Sequence, residues 1–163
     1  MVTDRVVNIG REAIRLISLV LLLGFLQQCG GEMPAEYETL FRLPSHEREA
    51  KFKQFPIEKQ VDVYIYAMYV EPPKTEFLRY LASNGEKAVP FLLARLEIEK
   101  SDTRKAILVN VFEEIHRYYA SLRNDEATIT VLERIVSNMK DDYNRKKAEE
   151  SVAVVKNTPG FEK

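Results

Sequence analysis

After Gly31 the chain holds only two more glycines, Gly85 and Gly160, and the segments between its prolines carry helical spacing with almost no alternation of the strand type. A chain of this kind is predicted to be helical, with polar or proline breaks between segments. Two short amphipathic pieces are predicted over 34–43 and 45–54, with Pro44 and Pro56 placed to open the helix that follows each. Six longer helices are predicted over 57–70, 75–84, 86–100, 102–122, 125–139 and 142–156, forming three antiparallel pairs. The joints have physical causes. Pro72-Pro73 cannot continue a helix, Asn84-Gly85 is a helix-ending pair, and Ser101-Asp102 and Asp141-Asp142 supply side-chain oxygens for N-caps.

Within 102–122, Ile107, Leu108, Val111, Phe112, Ile115, Tyr118 and Tyr119 share one side, while Glu113, His116 and Arg117 are expected to point away from it. The 57–70 segment differs. Ile57, Val61, Tyr64, Ile65 and Met68 make one apolar face, and Val63, Tyr66 and Val70 make a second stripe roughly opposite. Such a helix is covered on two sides or offers one side to a partner. Tyr64, Tyr66 and Tyr69 crowd this helix, and tyrosine suits both a core edge and an interface, because it joins a large apolar ring to a hydrogen-bonding tip. These three are the candidate partner-binding residues.

The N-terminus has a different character. Arg5, Arg11 and Arg15 precede an uncharged run from Leu16 to Leu26, the layout of a secretory signal. As a helix that run extends only about 16 Å, roughly half of a bilayer's hydrocarbon core, so a permanent span is disfavoured. The run ends in Leu26-Gln27-Gln28-Cys29-Gly30-Gly31, which resembles the lipobox of bacterial lipoproteins through Leu26 and Cys29. The resemblance implies a signal peptide over 1–28 and a diacylglyceryl or palmitate-type modification of Cys29. It also implies a periplasm-facing, lipid-anchored protein, held on the outer membrane if the host is Gram-negative, because Gly30 and not Asp follows the cysteine. Cys29 is the sole cysteine, so it has no disulfide partner, and lipidation would quiet a thiol otherwise exposed to an oxidising compartment. Ordinary cleavage after Gly31 and an uncleaved anchor are the alternatives. The domain plan expected from this is 1–28 signal, 29–44 lipid-attachment site and linker, and 45–163 helical domain.

A repeat is visible in the helical part. Leu93-Ala-Arg95-Leu96 and, further on, Asp102-Thr-Arg104-Lys105-Ala106 are echoed by Leu132-Glu-Arg134-Ile135 and Asp142-Tyr-Asn-Arg145-Lys-Lys-Ala148, an offset within the range of two-helix repeats. Gly85-Glu-Lys-Ala88-Val89-Pro90-Phe-Leu92 followed by Asp102 and Lys105-Ala106 resembles the HEAT repeat. The resemblance implies an all-α fold, a short α-solenoid of antiparallel helix pairs that serves as a protein-binding scaffold.

Little points to chemistry. Net charge is −1, which removes any general attraction to nucleic acid. Glu113 and His116 have the Glu-x-x-His spacing of a di-iron ligand pair, but His46, the only other histidine, has no Glu at the matching place. No nucleophile elbow or phosphate-cradling loop is present in the sequence, and the acidic pairs Glu113-Glu114, Asp141-Asp142 and Glu149-Glu150 suit solvated helix faces. No catalytic residue, metal ligand or cofactor is therefore assigned. The expected role is an exported envelope protein with two partners: the membrane, through its lipid anchor, and another envelope protein, through its helical domain. The alternatives are a periplasmic immunity protein that neutralises a toxic effector, and an enzyme or small-ligand binder using a groove between helix pairs, for which two convergent acids or a buried His116 would be the sign.

Overall fold

A computed structural model describes residues 33–161. Residues 1–28, expected to be a signal peptide, and Cys29 lie outside the described residues. The described residues are all-helical: α1 Ala35–Arg42, α2 Ser45–Phe52, α3 Ile57–Ala67, α4 Glu76–Ala82, a 3-10 turn Gly85–Ala88, α5 Val89–Ile98, α6 Asp102–Tyr118, α7 Glu126–Ser137 and α8 Asp142–Asn157. Among them no helix is long and apolar enough to cross a membrane.

The joints obey local chemistry. Ser101 accepts from the Arg104 amide at 3.4 Å, Asp125 from Thr128 at 3.0 Å and Asp141 from Asn144 at 2.8 Å, so each of the last three helices starts at a side-chain cap. Gly85 has φ +57°, a left-handed turn that a side chain would resist, and it redirects the chain from α4 into α5. Helix α6 ends at Tyr118, short of the expected 122. The Leu122 amide folds back to donate to His116 Nδ1 at 3.2 Å, and the Ala120 amide donates to the Ile115 carbonyl, so the chain curls over the helix end.

Consecutive helices pair as hairpins, and each also touches the helix next but one. Helices α3 and α4 pair, as do α5 with α6 and α7 with α8, while α3 lies against α5, α5 against α7, α4 against α6 and α6 against α8. One layer is therefore α3, α5, α7 and the other α4, α6, α8. Polar ties cross the seams. Asp62 of α3 meets Arg95 of α5 at 3.3 Å, Glu97 of α5 pairs with Arg134 of α7, and Arg79 of α4 meets Glu114 of α6 at 3.7 Å. Between α6 and α8 the Asp102 carboxylate accepts from the Lys140 and Asp141 amides at 2.6 and 2.9 Å. Leu92, Leu96, Leu108, Phe112, Ile115 and Leu132 fill the space between the layers with at most 1% exposure.

The helical domain begins at Ala35, earlier than the Ser45 expected, so 35–44 is not a linker. The reason is burial. Helix α1 places Tyr37, Leu40 and Phe41 in the core and packs on α2 and α3, and Lys59 of α3 reaches back to Glu36 at 2.6 Å. Phe41 and Phe52 close edge-on against Phe77 at 5.3 and 5.1 Å, with Tyr80 beside it at 5.5 Å. Helices α1 and α2 thus make a fourth, shorter hairpin on the α3–α4 side. The polar Gln60, 3% exposed at this end, is satisfied: it donates to the Phe55 carbonyl and accepts from Asn84 Nδ2, both at 2.8 Å.

Candidate interaction surface

The three tyrosines expected at an interface are separated by the fold. Tyr64 is 1% exposed and fills the core, with its hydroxyl 3.4 Å from the Ile107 carbonyl, so it is unavailable to a partner in this fold; burial pushes its phenol well above the ordinary tyrosine range. Tyr66 is half-buried and packs on the Tyr37 ring at 5.5 Å. Only Tyr69, just beyond α3, stands clear of the core at 54% exposure, with the Arg104 guanidinium 5.5 Å from its ring. Of the two expectations for α3, coverage on both sides is the one realised, because Val61, Val63, Tyr64, Ile65 and Ala67 are all buried between α1, α4, α5 and α6.

The helix that does present an apolar face is α5. Phe91, Ala94 and Ile98 recur at helical spacing on one side of it and face solvent, Phe91 at 39% and Ile98 at 68% exposure, while Val89, Leu92 and Leu96 face the core. Charge flanks this stripe on both edges. On the α3 edge Arg95 lies between Asp62 and the buried Glu99, whose Oε2 is 3.1 Å from the guanidinium. Glu99 Oε1 meanwhile accepts from the Lys100 and Ser101 amides at 2.9 Å and fixes the turn into α6. Burial raises the Asp62 carboxyl above its ordinary range against the pull of Arg95, and Glu58 and Glu99 add to the rise. On the α7 edge stands the Glu97–Arg134 pair. An apolar strip bounded by charged pairs is the usual anatomy of a protein-binding patch, with a dry centre and a polar rim. Sequence reasoning passed over Phe91 and Ile98. The available signal was that Val89-Pro-Phe-Leu-Leu with Leu96 and Ile98 is apolar all round, which a helix covered on only part of its surface cannot hide.

His116 is also placed differently from its expectation. It is fully buried, not pointing away, while Arg117 is exposed and Glu113 is partly so, in contact with Arg117 at 2.9 Å. Both ring nitrogens are engaged by the backbone. Nδ1 accepts from the Leu122 amide, and Nε2 lies 3.2 Å from the Thr158 carbonyl, which leaves no free nitrogen for a substrate. His46 is exposed beside Glu47, and among the described residues no group of three or more His, Cys, Asp or Glu side chains is arranged to hold a metal. A shallow groove of about 260 Å³ runs between α7 and α8 over Val136, Val152 and Ala153, with Glu133, Glu149 and Lys156 at its sides. Glu133 and Lys156 pair with each other there. The two carboxylates stand at the sides of an apolar floor, and no histidine lines the groove.

No protein-family model matches the chain, and no curated protein or solved structure matches it either.

Proposed function

We propose that the chain is an exported, lipid-anchored envelope protein whose stacked hairpins form a short α-solenoid of the HEAT type, and that this solenoid binds a partner protein across α5. The observation that carries the reading is the exposed Phe91–Ala94–Ile98 stripe at the middle of one layer. A soluble domain gains nothing in stability from holding Ile98 at 68% exposure, whereas burying a side chain of this size against a partner contributes roughly 1.5–3 kcal/mol. The repeat spacing and the layer order support the solenoid. The arginine-led apolar run and the solitary Cys29 support the anchor.

A photo-crosslinking residue at position 98, carried by the full chain in its native envelope, is expected to capture one protein consistently. The same residue at Glu150 on the opposite layer is expected to capture none. Equal labelling from both positions, or none from position 98, removes the α5 reading. Ile98→Glu should abolish the crosslinked product made from position 91 while changing stability by no more than about 0.5 kcal/mol, as exposed substitutions do.

The anchor has its own test. Mass spectrometry of the mature protein is expected to find an N-terminus at Cys29 carrying acyl mass, with Cys29→Ser leaving the signal uncleaved. A mature N-terminus at Glu32 without acyl mass would replace the anchor by plain secretion.

A further inference from the structure

We propose that the His116 ring is a pH-sensitive clasp for the segment 158–161: the neutral ring holds this segment and the turn at Leu122 against the end of α6, and uptake of a second ring proton breaks the Leu122 contact and opens the buried site to water. This inference is independent of the α5 reading and of the anchor.

Three contacts converge on one buried residue. The ring is 0% exposed, its Nδ1 accepts from the Leu122 amide at 3.2 Å, and its Nε2 faces the Thr158 carbonyl at 3.2 Å and the Thr158 hydroxyl at 3.3 Å. The His116 carbonyl then accepts from the Phe161 amide at 2.8 Å. Only one form of imidazole satisfies the ring contacts, the neutral tautomer with its proton on Nε2 donating to Thr158. A proton added at Nδ1 would face the Leu122 N–H, turning an acceptor into a second donor and leaving a buried charge with one good partner.

The tail is packed tightly at Gly160. A Cβ on Gly160 would come within 2.6 Å of Ser121 Oγ and 2.7 Å of His116 Cε1, so this segment lies directly on the ring and on the α6–α7 connection. The charges around the site oppose protonation. The Thr158 carbonyl favours the imidazolium, Arg117 on α6 and Arg123 in the connection disfavour it, and Glu113 on α6 favours it. Among the described residues the tail contributes only the uncharged Thr158, Pro159, Gly160 and Phe161, and Lys156 at the end of α8 is held by Glu133. Burial is the largest influence, and it lowers the ring below the ordinary imidazole value of 6.5. The clasp is therefore closed at neutral pH and opens on the acid side of that value.

The test is amide hydrogen exchange on the full chain in detergent, corrected for intrinsic rates, between about pH 7.5 and about pH 5, together with an NMR titration of the His116 ring. Protection at Leu122 and Phe161 is expected to fall together by roughly tenfold or more, tracking the ring titration, while Phe112 in the core of α6 keeps its protection. In His116→Gln the side-chain amide can donate to Thr158 and accept from Leu122 without titrating, so the tail should remain protected across the range. Gly160→Ala should release Phe161 already at neutral pH. The proposal is overturned if Leu122 and Phe161 stay protected until the whole domain unfolds, if they stay protected while the ring titrates, or if His116→Gln loses them with the same pH dependence. Should His116→Gln fail to fold, coincidence of the ring and amide midpoints in the unmodified chain decides the matter.

Discussion

Phe77→Ala is expected to destabilise the domain by about 3–5 kcal/mol, a large share of the roughly 5–15 kcal/mol that holds a domain of this size together. Phe77 is fully buried on α4, and its ring is the one that Phe41 of α1, Phe52 of α2 and Tyr80 of α4 all meet at 5.1–5.5 Å. Removing it deletes the shared centre of that cluster and leaves a cavity that rigid neighbours fill only in part. In a thermal melt the loss should appear as a drop in midpoint on the order of 10–20 °C. Its spatial pattern is also specified. Where hairpins touch mainly their neighbours, stability is a sum of local and neighbour terms, so hydrogen exchange should accelerate most in α1 and α2 and least in α7 and α8. Phe91→Ala provides the comparison, since Phe91 is 39% exposed and its truncation should cost below about 1 kcal/mol. A melt in which the two variants fall by the same amount would place Phe77 outside the organising core and with it the account of why the domain begins at Ala35.

How much of this was legible in the sequence varies with the range of the interaction concerned. Helix starts depend on a few neighbouring residues, and the caps at Ser101 and Asp141 and the turn at Gly85 stand where their chemistry predicts. Faces depend on what covers a helix, and there the periodicity misleads. His116 sits at the edge of the apolar arc of α6, and a histidine there looks like a surface residue until Thr158, 42 residues away, supplies a carbonyl for its ring. Tyr64 looked the same as Tyr69 in sequence, yet one meets the carbonyl of Ile107 in the core and the other stands in solvent. The short α1 is expected as an amphipathic piece over 34–43 but outside the domain, because eight residues form barely two turns, too few to be stable alone; its helix depends on seating Tyr37, Leu40 and Phe41 against other parts of the chain. The 57–84 region carries almost no repeat signature, but its two helices make the same neighbour contacts as the hairpins that do, since stacking requires complementary apolar faces and not a particular string of residues.

The second large effect is expected at Asp102, and Asp142 is its control. Asp102 opens α6 and Asp142 opens α8 at the matching place, but their carboxylates do different things. Asp102 is 15% exposed at its side chain and reaches into the next hairpin, accepting from the backbone amides of Lys140 and Asp141 while holding Lys105 at 3.2 Å. Asp142 is 85% exposed at its side chain and touches Arg145 within its own first turn. Asp102→Ala removes a charged acceptor from two amides at the seam between hairpins, so it should cost about 1–3 kcal/mol, with α7 and α8 losing hydrogen-exchange protection ahead of α3 and α4. Asp142→Ala should stay within about 0.5 kcal/mol, because an exposed pair of this kind is weak. Acid gives an internal check. The Asp141 amide first, then the Lys140 amide and Lys105, hold the Asp102 carboxyl below its ordinary value of 3.8. A carboxyl whose value is lowered in the fold contributes its full stability above the ordinary value and loses that contribution as pH falls through the folded one. The stability gap between wild type and Asp102→Ala, measured by denaturant unfolding, should therefore be constant from neutral pH down to about 5 and narrow below about 4. If the gap does not narrow in acid, or if Asp142→Ala is as costly as Asp102→Ala, the seam is held by apolar packing alone, and the carboxylate at the start of α6 is merely another helix-terminal acid.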